Sequence, residues 1–289
     1  MDNPILLNFV TVTVFSRMLA IGVNQSFRQL TFLWRRPELL LRSLLAVIVL
    51  VPVVVCLLLW LFDLPPAVAT GLAVLAAPGA PLTTKRAQMA GGDPTYASSL
   101  QLMLALLAVV ITPLTLAIFY ALFALSTEPL HPFQVALQVA EVTFLPVIIG
   151  LLMQIFAPRF TQRIGMFMQV LANVLFTLLF VGLLVLVVLK PDFRAMLNLG
   201  WRPAAAIIIM VGTSLAIGNL LGGPSREKRS VLAIASIARN VGLALFIAGL
   251  SNSGQQLIPT LLTYMIFGAL LAVPYSVWSK RRMKLRESK

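Results

Sequence analysis

The sequence predicts an all-α, multi-pass membrane protein of about nine spans, and two observations carry that prediction. The 289 residues are 60% hydrophobic and 11% charged, with mean hydropathy +0.97, against about 25% charged in an ordinary soluble domain. Apolar runs of about 20 residues, the length that crosses a roughly 30 Å hydrocarbon core, recur from one end to the other. They leave no room for a soluble domain, so one transmembrane domain is expected to fill residues 1–289.

Apolar runs and their breakers place the spans at 4–24, 38–62, 65–91, 95–125, 131–157, 161–189, 203–222, 228–250 and 255–280. Asp2 precedes a first run with neither a basic leader nor a small-residue cleavage site, so that run is expected to be retained. The lone Cys56 lies inside VIVLVPVVVCLLLWL and is expected to pack. The net charge of +13 does not point to nucleic acid, because the basic residues cluster in short loops beside the spans. With the N-terminus outside, Arg28, Arg35, Arg36, Arg42, Arg159, Arg163, Arg226, Lys228, Arg229 and the tail SKRRMKLRESK lie in the cytoplasm. Lys190, Arg194 and Arg202 lie outside. That is the positive-inside pattern of a cell (plasma or inner) membrane protein, whose basic tail meets anionic lipid.

Arg17, Lys85, Arg86, Arg239 and Glu141 fall inside spans. Ionisable groups at membrane depth are rare, and they line polar pathways or pair with one another. Lys85 and Arg86 belong to AAPGAPLTTKRAQMAGGDP (76–94), where Pro78, Gly79 and Pro81 defeat a continuous helix. A break at that depth is tolerated only against protein or a water-filled cavity. The half-helix beginning near Leu82 would point its positive dipole end into the break. Alternatively, a simple kink lets Lys85 and Arg86 snorkel to the cytoplasmic face, an outcome that suits Arg86 better than Lys85.

In VLAIASIARNVGLALFIAGLSN (231–252), Arg239 and Asn240 sit in mid-span with no loop nearby. A pathway role is expected there over a buried ion pair. The two segments resemble each other in position, as inverted repeats do when two interrupted helices meet around a substrate site. Composition alone does not require the second to break, since Gly242 comes late. Glu141, roughly 15 Å into its span, and Arg17, at roughly 20 Å, are expected either to pair or, for Glu141, to serve as a buried proton carrier. His131, beside Pro132 at an outer loop, has no expected role. Trp60, Trp201 and Trp278 read as interfacial anchors, and Met166 and Met168 as packing. No metal site is expected.

At these residues the chain resembles the bile acid:sodium symporter family. MLAIGVNQSFRQL and WRRPELLLRSLL resemble its first helix and basic loop. LFDLPPAVATGLAVLAAPGAPLTTKRAQMAGGDPTYASSLQLMLALLAVVITPL resembles its first crossover and the helix after it. VTFLPVIIGLLMQIFAPRF resembles a later panel helix, and ARNVGLAL the second crossover. The resemblance implies six core helices, starting near 38, 65, 95, 203, 228 and 255, and panel helices starting near 4, 131 and 161. It also implies alternating-access transport. Of the family's sodium ligands, the Ser-Asn pair falls on Thr83 and Thr84, and two hydroxyl positions fall on Ala97 and Gln101. The acidic residue falls on Ala235 and the glutamine on Arg239, while Asn240 is retained.

Na⁺ needs converging oxygens, and a guanidinium repels it, so both sodium sites look dismantled. Arg239, with Lys85, would then supply the charge that sodium supplies in relatives, and it would hold a carboxylate or sulfonate in a forked pair. The expected substrate/ion-binding set is Pro78, Gly79, Thr83, Thr84, Lys85, Gln101, Arg239 and Asn240, with a small organic anion and the bilayer as partners and no cofactor. Arsenite is disfavoured by the lack of cysteine at the crossover. An enzyme is not expected, because no span carries a nucleophile, base and orienting group at usable spacing. The alternative is a non-transporting receptor or scaffold derived from a carrier.

Overall fold

In the computed structural model, which describes residues 4–25, 27–78, 83–123, 125, 132–189, 200–250 and 254–287, every regular element among the described residues is helical. Helix α1 spans Pro4–Asn24, and a short amphipathic helix α2 (Phe27–Trp34) occupies the expected basic loop. Helix α3 (Pro37–Leu61) leads to α4 (Pro66–Ala76) and α5 (Thr83–Met89). Then come α6 (Pro94–Leu122), α7 (Phe133–Phe156), α8 (Pro158–Leu189) and α9 (Trp201–Leu221). The chain closes with α10 (Arg226–Ile237), α11 (Val241–Leu250) and α12 (Ile258–Glu287).

Among the described residues, eight helices are long and apolar enough to cross a membrane, counting α10 and α11 as one, and the short apolar α4 belongs to the remaining predicted span. Helix α4 ends at Ala76, just before the predicted break at Pro78, and α5 begins at Thr83; residues 79–82 lie outside the described residues. The second segment also breaks, which its composition did not demand: residues 238–240 leave the helix between α10 and α11. Here Asn240 stops one helix and starts another, because its side-chain oxygen accepts from Leu243 N at 3.1 Å and caps α11. On α6, Asp93 does the same through Thr95 N (2.8 Å) and Tyr96 N (3.0 Å), with Pro94 in the first turn, where its missing donor does no harm.

Two π-helical segments, Leu45–Leu50 in α3 and Ala140–Phe144 in α7, each end just before a proline, Pro52 and Pro146. A proline ring clashes with the carbonyl four residues earlier, and the wider π turn makes room for it. In α3 the widening shifts Val51 N to Ala46 O. Pro52 has no N–H, so Val47 O is left without a helical partner.

Packing divides the helices into two groups. Helix α1 lies along α7 and α8, while α9 and α10 pack on each other and on α3 and α12. The broken helices cross: α10 lies on α5, and α11 on α4. Helix α1 also touches α11, so it borders the second break. The close approaches use glycine. A Cβ on Gly22 would meet Val147 O at 2.3 Å, and one on Gly150 would meet Val23 N at 2.6 Å, which lets α1 and α7 touch backbone to backbone. A Cβ on Gly218 would lie 2.4 Å from Leu232 O, so α9 and α10 meet in the same way. Residues 231–248 are buried throughout, whereas α8 presents Phe167, Val170, Val174, Leu178 and Val181 outward, as a lipid-facing helix does.

Candidate functional site

The second break lies within residues 231–248, which are buried throughout, and the described polar groups near both breaks are largely engaged by their neighbours. Gln101 on α6 accepts from Thr84 N at 2.9 Å and from Thr84 Oγ1 at 2.6 Å, supplying a partner to the start of α5. Asn240 caps α11. Three oxygens at positions carried over from the family's ion sites are thus engaged: Gln101 Oε1 and Asn240 Oδ1 accept from helix starts, and Thr84 Oγ1 donates to Gln101. Ala97 and Ala235, the two other positions carried over from the family's ion sites, are fully buried and bring no oxygen in their side chains.

Arg239 is 5% exposed. Its Nη1 and Nη2 donate to Val47 O at 3.2 and 3.3 Å, and Nη1 also reaches Ala76 O at 3.4 Å. Val47 O is the carbonyl that the π turn and Pro52 strand in α3, and Ala76 is the last residue of α4. The guanidinium therefore ties three elements together by serving carbonyls that the prolines leave free, at the negative end of a helix. Tyr264 on α12 donates to Ile237 O, the last residue of α10, at 2.9 Å, so the other crossover's first half is closed in a similar way. Arg239 and Tyr264 line a small inner cavity of about 30 Å³ together with Arg86, Phe176 and Gly242.

A much larger cavity of about 540 Å³ opens on the other side of the first crossover. Arg17 and Lys85 line it, with the carboxamides of Asn24, Gln25, Gln88, Gln101, Gln169 and Asn173 and the hydroxyls of Thr84 and Ser98, beside an apolar wall that includes Ile21, Met166 and Val170. Asn24 fixes one wall by donating to Ala20 O at 2.8 Å and across to Gly165 O at 3.0 Å. Arg17 is 6% exposed; its guanidinium lies 4.3 Å from the centroid of the Phe176 ring, and Nε and Nη1 have no hydrogen-bond partner.

Five expectations change. The fork of Arg239, expected to hold a carboxylate or sulfonate, is spent on Val47 O and Ala76 O. Glu141 sits in the π segment of α7 and is exposed, so it neither pairs with Arg17 nor has the burial that a proton carrier needs. The extra residue per turn rotates it off the inner face. Arg86 does not snorkel away: it lines the inner cavity, within electrostatic range of Arg17. Lys85 instead is the exposed member of the pair and reaches the large cavity. Arg17, expected to be a paired panel residue, is a cavity residue. Pro78 is buried and closes the first break; Gly79 and the Thr83 side chain lie outside the described residues, as do His131, Lys190 and Arg194. Tyr264 and the carboxamides of α1 and α8 were missed, and only their spacing on apolar helices (Asn24–Gln25, Gln169–Asn173) offered a signal.

Apolar membrane-length helices around two crossed helix pairs, with cationic and amide groups gathered where the pairs cross, define a helical multi-pass membrane protein. The Sodium Bile acid symporter family model matches residues 11–193, and the chain belongs to that family. The match takes in α1 through α8 and stops before Arg239. The chain is also similar to the P3 protein of Homo sapiens, 26% identical over 302 aligned positions covering 94% of this chain and 61% of that protein. It thus spans about three fifths of that relative's length.

Proposed function

We propose that this chain carries a hydrophilic organic anion through the large cavity by alternating access, without sodium coupling. One observation carries the reading: Arg17, buried with two unpartnered nitrogens, faces a roomy cavity that it shares with Lys85 and six carboxamides, and no carboxylate lines it among the described residues. A guanidinium left without hydrogen bonds at membrane depth is expensive unless a ligand completes it, and a forked carboxylate or sulfonate matches its geometry. The carboxamides around it favour a substrate with several polar groups over a steroid-like one.

The helices split into a presumed core (α3 to α6 and α9 to α12) and a presumed panel (α1, α7, α8). Movement of one against the other, with the N-terminus outside, is the transport step. Arg239 acts here as a fixed positive charge that braces the crossover in place of a bound cation, while Thr84, Gln101 and Asn240 complete the helix ends around it. Glu141 has no part in this scheme, and a receptor or scaffold role does not account for the open cavity.

The test is uptake of a panel of labelled carboxylates and sulfonates into proteoliposomes. Arg17→Gln should raise KM about tenfold or more while leaving the protein folded, because removing one partner of a buried charged contact weakens it by about 2 kcal/mol or more. Uptake with an unchanged KM in Arg17→Gln would contradict this site.

A further inference from the structure

The inner cavity at the second break is too small for any organic anion and yet is built around charge. Its roughly 30 Å³ has room for one or two water-sized bodies. Arg86 from α5 and Arg239 from the break both line it. Arg239 spends its two terminal nitrogens on backbone carbonyls, while its Nε–H, equally buried, makes no hydrogen bond of ordinary geometry and has only the neutral Tyr264 hydroxyl interacting with the guanidinium. Tyr264 has already given its proton to Ile237 O.

Carbonyls carry only partial charge, so they satisfy donors without neutralising a guanidinium. Among the described residues the ion pairs are Arg42–Glu38 and Arg202–Asp63, each with at least 40% of its side chains exposed and neither at the breaks. Arg86 and Arg17 are moreover close enough to repel each other. A buried guanidinium facing a half-buried one across the same small cavity calls for a counter-charge, and water cannot supply one. A metal cation would be repelled there. A monatomic anion would fit the volume, accept from the idle Nε–H and offset both guanidinium charges.

We infer that the inner cavity is a binding site for a small inorganic monovalent anion, chloride by size, held between Arg86 and Arg239 and distinct from the large cavity proposed for organic substrate. Bound there, the ion would fasten α5 to the second break and so stabilise the crossed arrangement. The inference does not depend on which organic anion is carried, or on whether one is.

Thermal unfolding of the purified full chain in detergent tests it, with sodium concentration and ionic strength held constant while chloride is replaced by bromide, gluconate or sulfate. The expected result is a Tm that rises by a few degrees, saturably, with chloride or bromide and not with gluconate or sulfate, which exceed the cavity. Arg86→Gln, compared with the parent in gluconate, should have an equal or higher Tm and at least a tenfold loss in apparent halide affinity. A Tm indifferent to the identity of the anion, or an unaltered halide response in Arg86→Gln, overturns the inference. Should that variant not fold, crystals of the parent protein grown with bromide decide: an anomalous peak beside Arg239 Nε supports the site, and its absence overturns it.

Discussion

Arg239 is the side chain on which the crossed arrangement most depends, because it serves carbonyls from two other elements. Arg239→Ala would leave Val47 O and Ala76 O buried and unpaired, and each such group costs about 1–3 kcal/mol. A Tm lowered by several degrees is expected, and Arg239→Lys should recover only part of it, since an ammonium lacks the planar fork that reaches both carbonyls. A melt of Arg239→Ala indistinguishable from the parent's would show that the contact is incidental. Asn240→Ala removes the α11 cap and should destabilise by about 1 kcal/mol in the same assay. At this scale the sequence located the mid-span charges correctly but not their contacts. Arg239 read as a ligand-facing fork because nothing local shows that its two carbonyl partners lie about 160 and 190 positions away in sequence. Glu141 read as buried because its depth was legible and its rotation was not: a π turn moves a residue around the helix by an amount that a 3.6-residue period does not anticipate.

Proline sets the geometry of whole elements here. Pro52 turns part of α3 into a π helix and strands the carbonyl that Arg239 then uses. Pro52→Ala restores an N–H that can reach Val47 O, so Arg239→Ala should cost less stability in that background than in the parent. A double-mutant cycle of thermal or denaturant melts would give a coupling energy of about 0.5 kcal/mol or more if this account holds, and additive effects would refute it. Close helix contacts supply a second prediction at this scale. Gly22→Leu would drive a side chain into Val147 O, where even a Cβ would come within 2.3 Å, and backbone cannot yield as a flexible side chain can. Overpacking of this kind costs about 1–3 kcal/mol, measurable as a lower Tm or reduced recovery of folded protein. Most helices were legible to within a few residues, since a run of apolar residues ended by Pro, Gly or a charge leaves little choice at membrane depth. The short α2 was not, because eight amphipathic residues in a basic loop carry no membrane signal. Nor was the second break, which Asn240 enforces without the proline and glycine that announce the first.

Across the whole molecule, positive charge converges on the crossover from three elements: Arg17 from α1, Lys85 and Arg86 from α5, and Arg239 from the second break, with the neutral Tyr264 of α12 beside it. The oxygens that would hold a cation there are engaged by neighbouring backbone and side chains instead. Composition revealed the membrane class, and the position of the charges revealed the centre of the bundle. The cavities were not readable, because a cavity depends on which faces of distant helices meet. The most direct measurement compares the initial rate of uptake of a labelled organic anion into proteoliposomes under an inward sodium gradient with the rate when potassium replaces sodium, chloride being equal on both sides throughout. Equal rates are expected if a fixed guanidinium stands where a coupling cation would bind. Uptake that requires the sodium gradient would mean that Thr83, Thr84, Gln101 and Asn240 still form an ion site beside Arg239, and would contradict the account.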